Sequence, residues 1–273
     1  MFTTLHFAAL ACYGLTVAVV LIPLLRLREG QISATIPLSL TGAAVAIHFV
    51  ALLEYARAYG SLPVAGFAPA LSSLAFLLGL LTLGVEWLTR ETAIAAVVGP
   101  LVLLVMVLAL AVGFGPTPGV PAHEDSWFIL HVASSLLGLA LMAVAFAAAA
   151  LYLLQHRELK ERRFGAAFKF LPPLEQLDRL NHLSLVVGFP VLTLGVILAV
   201  RYVGTFSSPD GGKAAHLGWG LSAWLVLGGI AAARMRGWLS GRRAAQVSIY
   251  GFAAVAGTYL LLVALSGAGS RFI

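Results

Sequence analysis

The chain has 273 residues, 60% of them hydrophobic and 10% charged, with a mean hydropathy of +0.98. A soluble globular domain carries about 25% charged residues, so this chain has too few charges to cover a water-facing surface. An ordinary soluble enzyme, a nucleic-acid-binding domain and a disordered chain are excluded, which leaves a polytopic, all-α membrane protein. The net charge of +6 and pI of about 9.8 must first be read as topology.

A span needs about 20 mostly apolar residues to cross about 30 Å of hydrocarbon. Eight runs meet this, near 5–25, 36–56, 68–89, 92–113, 127–154, 182–204, 214–234 and 246–267, and they predict a single integral membrane domain. The first run lacks a basic segment ahead of it and reads as a retained helix. In lipid the backbone must satisfy its own hydrogen bonds, so each run is expected to be helical. The segment from Gln155 to Arg179 carries Pro172-Pro173 and is expected to hold a short interfacial amphipathic piece. Ala133 to Ala150 is rich in Ala and Gly, which suits close helix packing.

Eight spans place alternate loops on opposite sides. The loops after spans one, three, five and seven carry 2, 1, 6 and 4 Lys/Arg, which is 13 of the 17 basic residues. The positive-inside rule puts these loops in the cytoplasm and both termini outside. That predicts a multi-pass membrane protein with its basic loops in the cytoplasm. The basic pI needs no nucleic acid; contact with anionic lipid, or docking of a soluble partner on the basic loops, suits it.

Cys12 is the only cysteine. No intramolecular disulfide or Cys-x-x-Cys motif can form, which excludes thiol-disulfide transport. No internal repeat or pair of broken helices is visible, although Pro100 and Pro190 lie inside spans. Glu54 and Glu86 sit near span ends, where they are expected to reach headgroups, and no span has a central carboxylate.

Ionisable groups at membrane depth mark function by default. Five of the seven histidines lie in or at the ends of spans: His6, His48, His131, His182 and His216. Neutral imidazole is a good haem-iron ligand, and two such ligands must meet across one iron. His131 and His216 share a depth on the outer side and form the first candidate pair. His48 and His182 are less well matched, by about 10–15 Å at 1.5 Å per residue. Trp87, Trp127, Tyr202, Trp219 and Trp238 lie near span ends and suit aromatic anchoring. Trp127 and Trp219 are also candidates to line an outer pocket beside His131 and His216.

The segment Trp127-Phe-Ile-Leu-His131-Val is followed by Leu171-Pro-Pro-Leu-Glu-Gln-Leu-Asp-Arg-Leu-Asn-His182 and by Gly188-Phe-Pro-Val-Leu-Thr-Leu-Gly195. Gly237-Trp-Leu-Ser-Gly-Arg-Arg-Ala244 and Gly269-Ser-Arg-Phe272 come after them. In this order and spacing the chain resembles the cytochrome c assembly superfamily of membrane haem-handling proteins, in particular its HemX/YpjD branch and more distantly CcsA/ResC. The resemblance covers slightly over half the chain; the first four spans match in pattern, with His48 similar in position to a His of that branch. It implies eight helices, a haem b site, and a role in cytochrome c maturation or in control of haem synthesis.

Haem-presenting members carry a Trp-rich outer motif between the spans numbered six and seven here. In this chain the loop reads Thr205-Phe-Ser-Ser-Pro-Asp-Gly-Gly-Lys213, without Trp, and the C-terminal stretch Ser266 to Phe272 lacks the second outer His. His131 is the ligand that carries over, and His216 is paired with it by depth. An accessory or regulatory haem-binding protein is therefore expected, rather than the synthetase that attaches haem to cytochrome c. Its partners would be membrane lipid, haem, and either maturation proteins or a cytoplasmic haem-synthesis enzyme. A small organic-solute transporter and a structural subunit of a membrane complex are the alternatives.

Overall fold

A computed structural model describes residues 2–25, 35–64, 66–114, 126–162, 171–200 and 211–265; the side chains of 23–25, 211–217 and 263–265 are outside the description. Eight α-helices account for almost all of it: α1 (Phe2–Leu25), α2 (Thr35–Tyr59), α3 (Phe67–Thr89), α4 (Ala95–Val112), α5 (Ser126–Lys160), α6 (Leu174–Ala199), α7 (Gly211–Met235) and α8 (Gly241–Leu265). Among the described residues, seven of them, all but α7, are long and apolar enough to cross a membrane. The protein is an all-α polytopic membrane bundle.

Two helices outrun their apolar segments. α5 continues to Lys160, and α6 begins at Leu174, eight residues before the apolar run at 182. Glu, Gln, Leu and Arg fill these extensions and are good helix formers, so the helix persists outside the hydrocarbon. Of the segment expected to hold a short amphipathic piece, residues 174–179 belong to the first two turns of α6, and residues 163–170 lie outside the described residues. Pro100 and Pro190 lie inside continuous helices, so neither breaks a span.

The helices form two four-membered rings. In the first, α1 packs on α2, α2 on α3, α3 on α4, and α4 back on α1. In the second, α5 packs on α6, α6 on α7, α7 on α8, and α8 back on α5. α5 also packs on α3 and α4 and so joins the rings. This explains its alanines. Ala140, Ala143 and Ala147 belong to the apolar core of the first ring, while Met142 and Ala145 belong to that of the second. A helix buried on two sides needs small side chains to let its neighbours approach.

Polar clips fix the second ring near the face that carries the basic loops, here the basic face. Asn181 of α6 donates to the carbonyl of Ala145 on α5 at 2.8 Å and to Ser248 on α8 at 3.2 Å. Arg234, at the end of α7, pairs with Asp178 of α6 at 2.6 Å and donates to the Leu239 carbonyl at 3.0 Å. Trp87 and Trp238 are well exposed near helix ends, as membrane-interface anchors should be.

Candidate functional site

His131 stands in the second turn of α5, away from the basic face, and is half-buried. Its Nδ1 lies 2.7 Å from the carbonyl oxygen of Gly195 on α6. A carbonyl can only accept, so Nδ1 carries the hydrogen and Nε2 keeps its lone pair in the neutral ring. Metal-ligating histidines are typically held this way, through the other ring nitrogen and a backbone carbonyl, which fixes the tautomer and the ring orientation. His131 therefore fits the requirements of an axial haem ligand.

Glycines make that bond possible. A methyl at Gly195 would collide with the Ser135 hydroxyl and stand 3.0 Å from the Ser135 nitrogen. About two turns away on the same helix, Gly188 lies against Leu141 and Met142. This close seam between α5 and α6 brings the Gly195 carbonyl within reach of the His131 ring.

The other sequence-derived candidates lie elsewhere. The backbone of His216, the partner expected for His131, is in the second turn of α7, and its side chain lies outside the described residues. Trp219 donates to Thr258 of α8 at 3.1 Å and packs against Tyr259, with ring centroids 4.7 Å apart. Trp127, in the first turn of α5, is 47% exposed. His182 follows Asn181 near the basic face. It precedes Gly195 by 13 residues on one helix, or about 20 Å, too far to share an iron with His131.

His48 belongs to the first ring. It is completely buried, as is His6 of α1. Both point Nε2 at the hydroxyl of Ser72 on α3, at 3.0 Å from His48 and 2.9 Å from His6. The two imidazoles meet at 71°, with centroids 5.5 Å apart. His6 also holds the Phe2 carbonyl through Nδ1 at 2.9 Å. Phe2, Tyr55 and Phe114 close over this end of the ring, their rings about each other at centroid distances of 5.8 and 5.9 Å.

This trio extends into a polar seam that the sequence reading missed. α1 contributes His6, Tyr13 and Val20; α2 contributes Thr41, His48 and Tyr55; α3 contributes Ser72, Gly79 and Glu86. All nine are buried, Gly79 beneath the Tyr13 ring. The spacing is seven in every case, which keeps side chains on one stripe of a helix in a bundle. That repeat was the available signal. Glu86 is only 1% exposed, so the expectation that it reaches headgroups is corrected: the seven-residue stripe turns it into the ring. Glu54 behaves differently, pairing with the exposed Arg57 at 2.6 Å.

A separate cleft of about 410 Å³ opens where the two rings meet near the basic face. Leu88, Ile94, Leu151 and Leu180 form apolar wall, and Glu91, Gln176 and Arg179 supply polar groups. Burial pushes the Glu91 carboxyl above the usual carboxylate range. Among the described residues, no group of three or more His, Cys, Asp or Glu side chains could hold a metal ion.

The sequence model of a family described as "Cytochrome C assembly protein" matches residues 64–267, about three quarters of the chain. A protein named cytochrome c biogenesis protein CcsA from Guillardia theta is 28% identical over 225 residues, covering 74% of this chain and 73% of that protein. A second protein of that name, from Heterosigma akashiwo, is 26% identical over 242 residues, covering 74% of each chain. An uncharacterized 28.8 kDa protein of Azospirillum brasilense is 28% identical over 198 residues, covering 71% of this chain and 69% of its own length.

Proposed function

The chain belongs to the cytochrome C assembly protein family, and on that premise we propose that it binds and handles haem b within the membrane. In this reading it supports cytochrome c assembly or the regulation of haem synthesis, and it is not itself the synthetase that attaches haem. The observation that carries the reading is the Nδ1 contact of His131 with the Gly195 carbonyl, which leaves Nε2 as the basic nitrogen.

His131 is the axial ligand in this reading, and His216 is its partner. His48 is set aside because its Nε2 is engaged by Ser72 in the other ring, and His182 because it lies far along α6. Bound haem would supply an iron centre capable of ligand exchange and one-electron chemistry. The protein's own part is to hold the His131 ring in one tautomer and exclude water from its neighbourhood through the α5–α6 seam. The absence of Trp from residues 205–213 supports an accessory role, because the motif that presents haem for attachment in the resembling branch is missing.

The placement is a bacterial inner membrane with both termini outside, resting on the 13 basic residues gathered on one side. Membrane lipid is one partner, and the basic loops suit either cytochrome c maturation proteins or a cytoplasmic haem-synthesis enzyme. The HemX/YpjD branch suits the sequence because of its loop and C-terminal motifs.

The test is an absorption spectrum of the protein purified in mild detergent, before and after addition of haem. A Soret band that moves on reduction is expected. A chain that shows none, even with haem added, carries no haem function.

A further inference from the structure

The polar seam of the first ring has no part in the haem reading. It contains Tyr13 Oη, Thr41 Oγ1, His48 Nδ1 and both carboxyl oxygens of Glu86, which are five of the eight buried side-chain atoms without a hydrogen-bond partner among the described residues. Unpartnered polar groups in the core of a membrane bundle are expensive. Five along one seam point to a shared purpose.

The bonds at the far end set a direction. Phe2's carbonyl accepts from His6 Nδ1–H, so in the neutral ring His6 Nε2 must accept from the Ser72 hydroxyl. Ser72 Oγ in turn accepts from His48 Nε2–H. His48 Nδ1 is then a buried acceptor with no donor. Tyr13, whose hydroxyl has no partner, meets the His48 ring edge-on at a centroid distance of 5.9 Å.

Towards the basic face, the Thr41 hydroxyl lies beside the Glu86 carboxyl without a closed hydrogen bond between them. Between Thr41 and Tyr13 is a cavity of about 10 Å³, lined also by Thr16 and Thr82. It is about the size of one water molecule, and Tyr13 and Thr41, whose hydroxyls have no hydrogen-bond partner among the described residues, both line it; a water held there requires those two hydroxyls to turn into it. From Ser72 to Glu86 the seam follows 14 residues of α3, about 21 Å of a hydrocarbon thickness near 30 Å.

We propose that the first ring is a proton-transfer column that runs from Glu86 through Thr41, a cavity water, Tyr13, His48 and Ser72 to His6. A proton reaching His48 Nδ1 makes an imidazolium. Its Nε2–H passes to Ser72 as Ser72 passes its own hydrogen to Nε2 of His6, and His6 releases Nδ1–H at the far face. Each step breaks one N–H or O–H bond and forms another. Nothing is oxidised or reduced, and reorientation of the two rings restores the starting tautomers.

The titratable groups that face the column are His6, Tyr13 and the partly buried Cys12 from α1, His48 and Tyr55 from α2, and Glu86 from α3. α4 faces it with Val98, Val102 and Met106, so protons have no side branch through that wall. The column uses neither His131 nor α6, and it stands or falls independently of haem.

The test is proton flux into proteoliposomes of the full chain, with a pH-sensitive dye trapped inside and a potassium diffusion potential as the driving force. The wild type should conduct several-fold faster than protein-free vesicles. Tyr13→Phe and Thr41→Val each remove one hydroxyl with little change of shape, and each should return the rate to that of protein-free vesicles. Glu54→Gln, outside the column, should leave it unchanged. Monodisperse elution of each variant establishes that it has folded. A wild type no faster than empty vesicles, or Tyr13→Phe and Thr41→Val as fast as the wild type, would overturn the proposal; a seam that merely holds helices together gives one of these results.

Discussion

Gly138 of α5 lies against Leu192 of α6 so closely that a methyl on Gly138 would stand 2.7 Å from the Leu192 Cα. The contact is with backbone, which cannot rotate away, so any side chain there must part the two helices. Gly138→Ala is expected to cost about 1–3 kcal/mol, the usual penalty of overpacking. It should appear as a lower thermal midpoint in detergent.

Gly195→Ala acts on the same seam nearer the site. The new methyl meets Ser135, so the carbonyl that holds His131 moves with its helix. Loss of a group that orients a metal ligand typically weakens metal binding about 10–100-fold. Haem titration of Gly195→Ala should show a loss of this size, larger than the effect of Gly138→Ala on haem affinity.

Arg234 locks the end of α7 to α6 through Asp178 and the Leu239 carbonyl. Arg234→Ala leaves these acceptors without their charged donor, at about 2 kcal/mol, since Asp178 is partly solvated. Thermal unfolding should fall accordingly, while proton flux through the first ring stays at the wild-type rate.

Glu86→Met exchanges a buried carboxyl without a closed hydrogen bond for an apolar side chain of similar length. Removing a desolvated polar group in this way is commonly stabilising. The thermal midpoint should rise by a few degrees, and flux through the column should vanish. A fall in the midpoint would mean that Glu86 holds the ring together.

The orientation can be tested by labelling. In a Cys12→Ser background, Leu62→Cys should react with a membrane-impermeant maleimide added to intact cells, and Arg236→Cys should react only after the cells are opened. Both positions are exposed. The reverse pattern would place the basic loops outside.

The helices were legible because apolar length alone decides what can span a bilayer. The arrangement into two rings was not, since in lipid every face of such a helix can be apolar and nothing in the pattern marks which face meets a neighbour. His131 stands out in the sequence by its local motif, but its bond to the Gly195 carbonyl depends on the close α5–α6 seam and does not show in the pattern. The meeting of His48 with His6 was not legible, because depth along a span does not reveal the seven-residue spacing that they share with Tyr13, Thr41 and Tyr55. Glu86 shows the same limit: depth put it near a headgroup, and only the packing of α3 shows that it faces inward.

The central claim is that Nε2 of His131 holds iron while Nδ1 is held by Gly195. The most direct measurement is the haem spectrum of His131→Gly with and without added imidazole. A Soret band that is lost or shifted in the variant and returns to its wild-type position with imidazole is the expected result. A spectrum identical to wild type in both redox states, without imidazole, would contradict the claim.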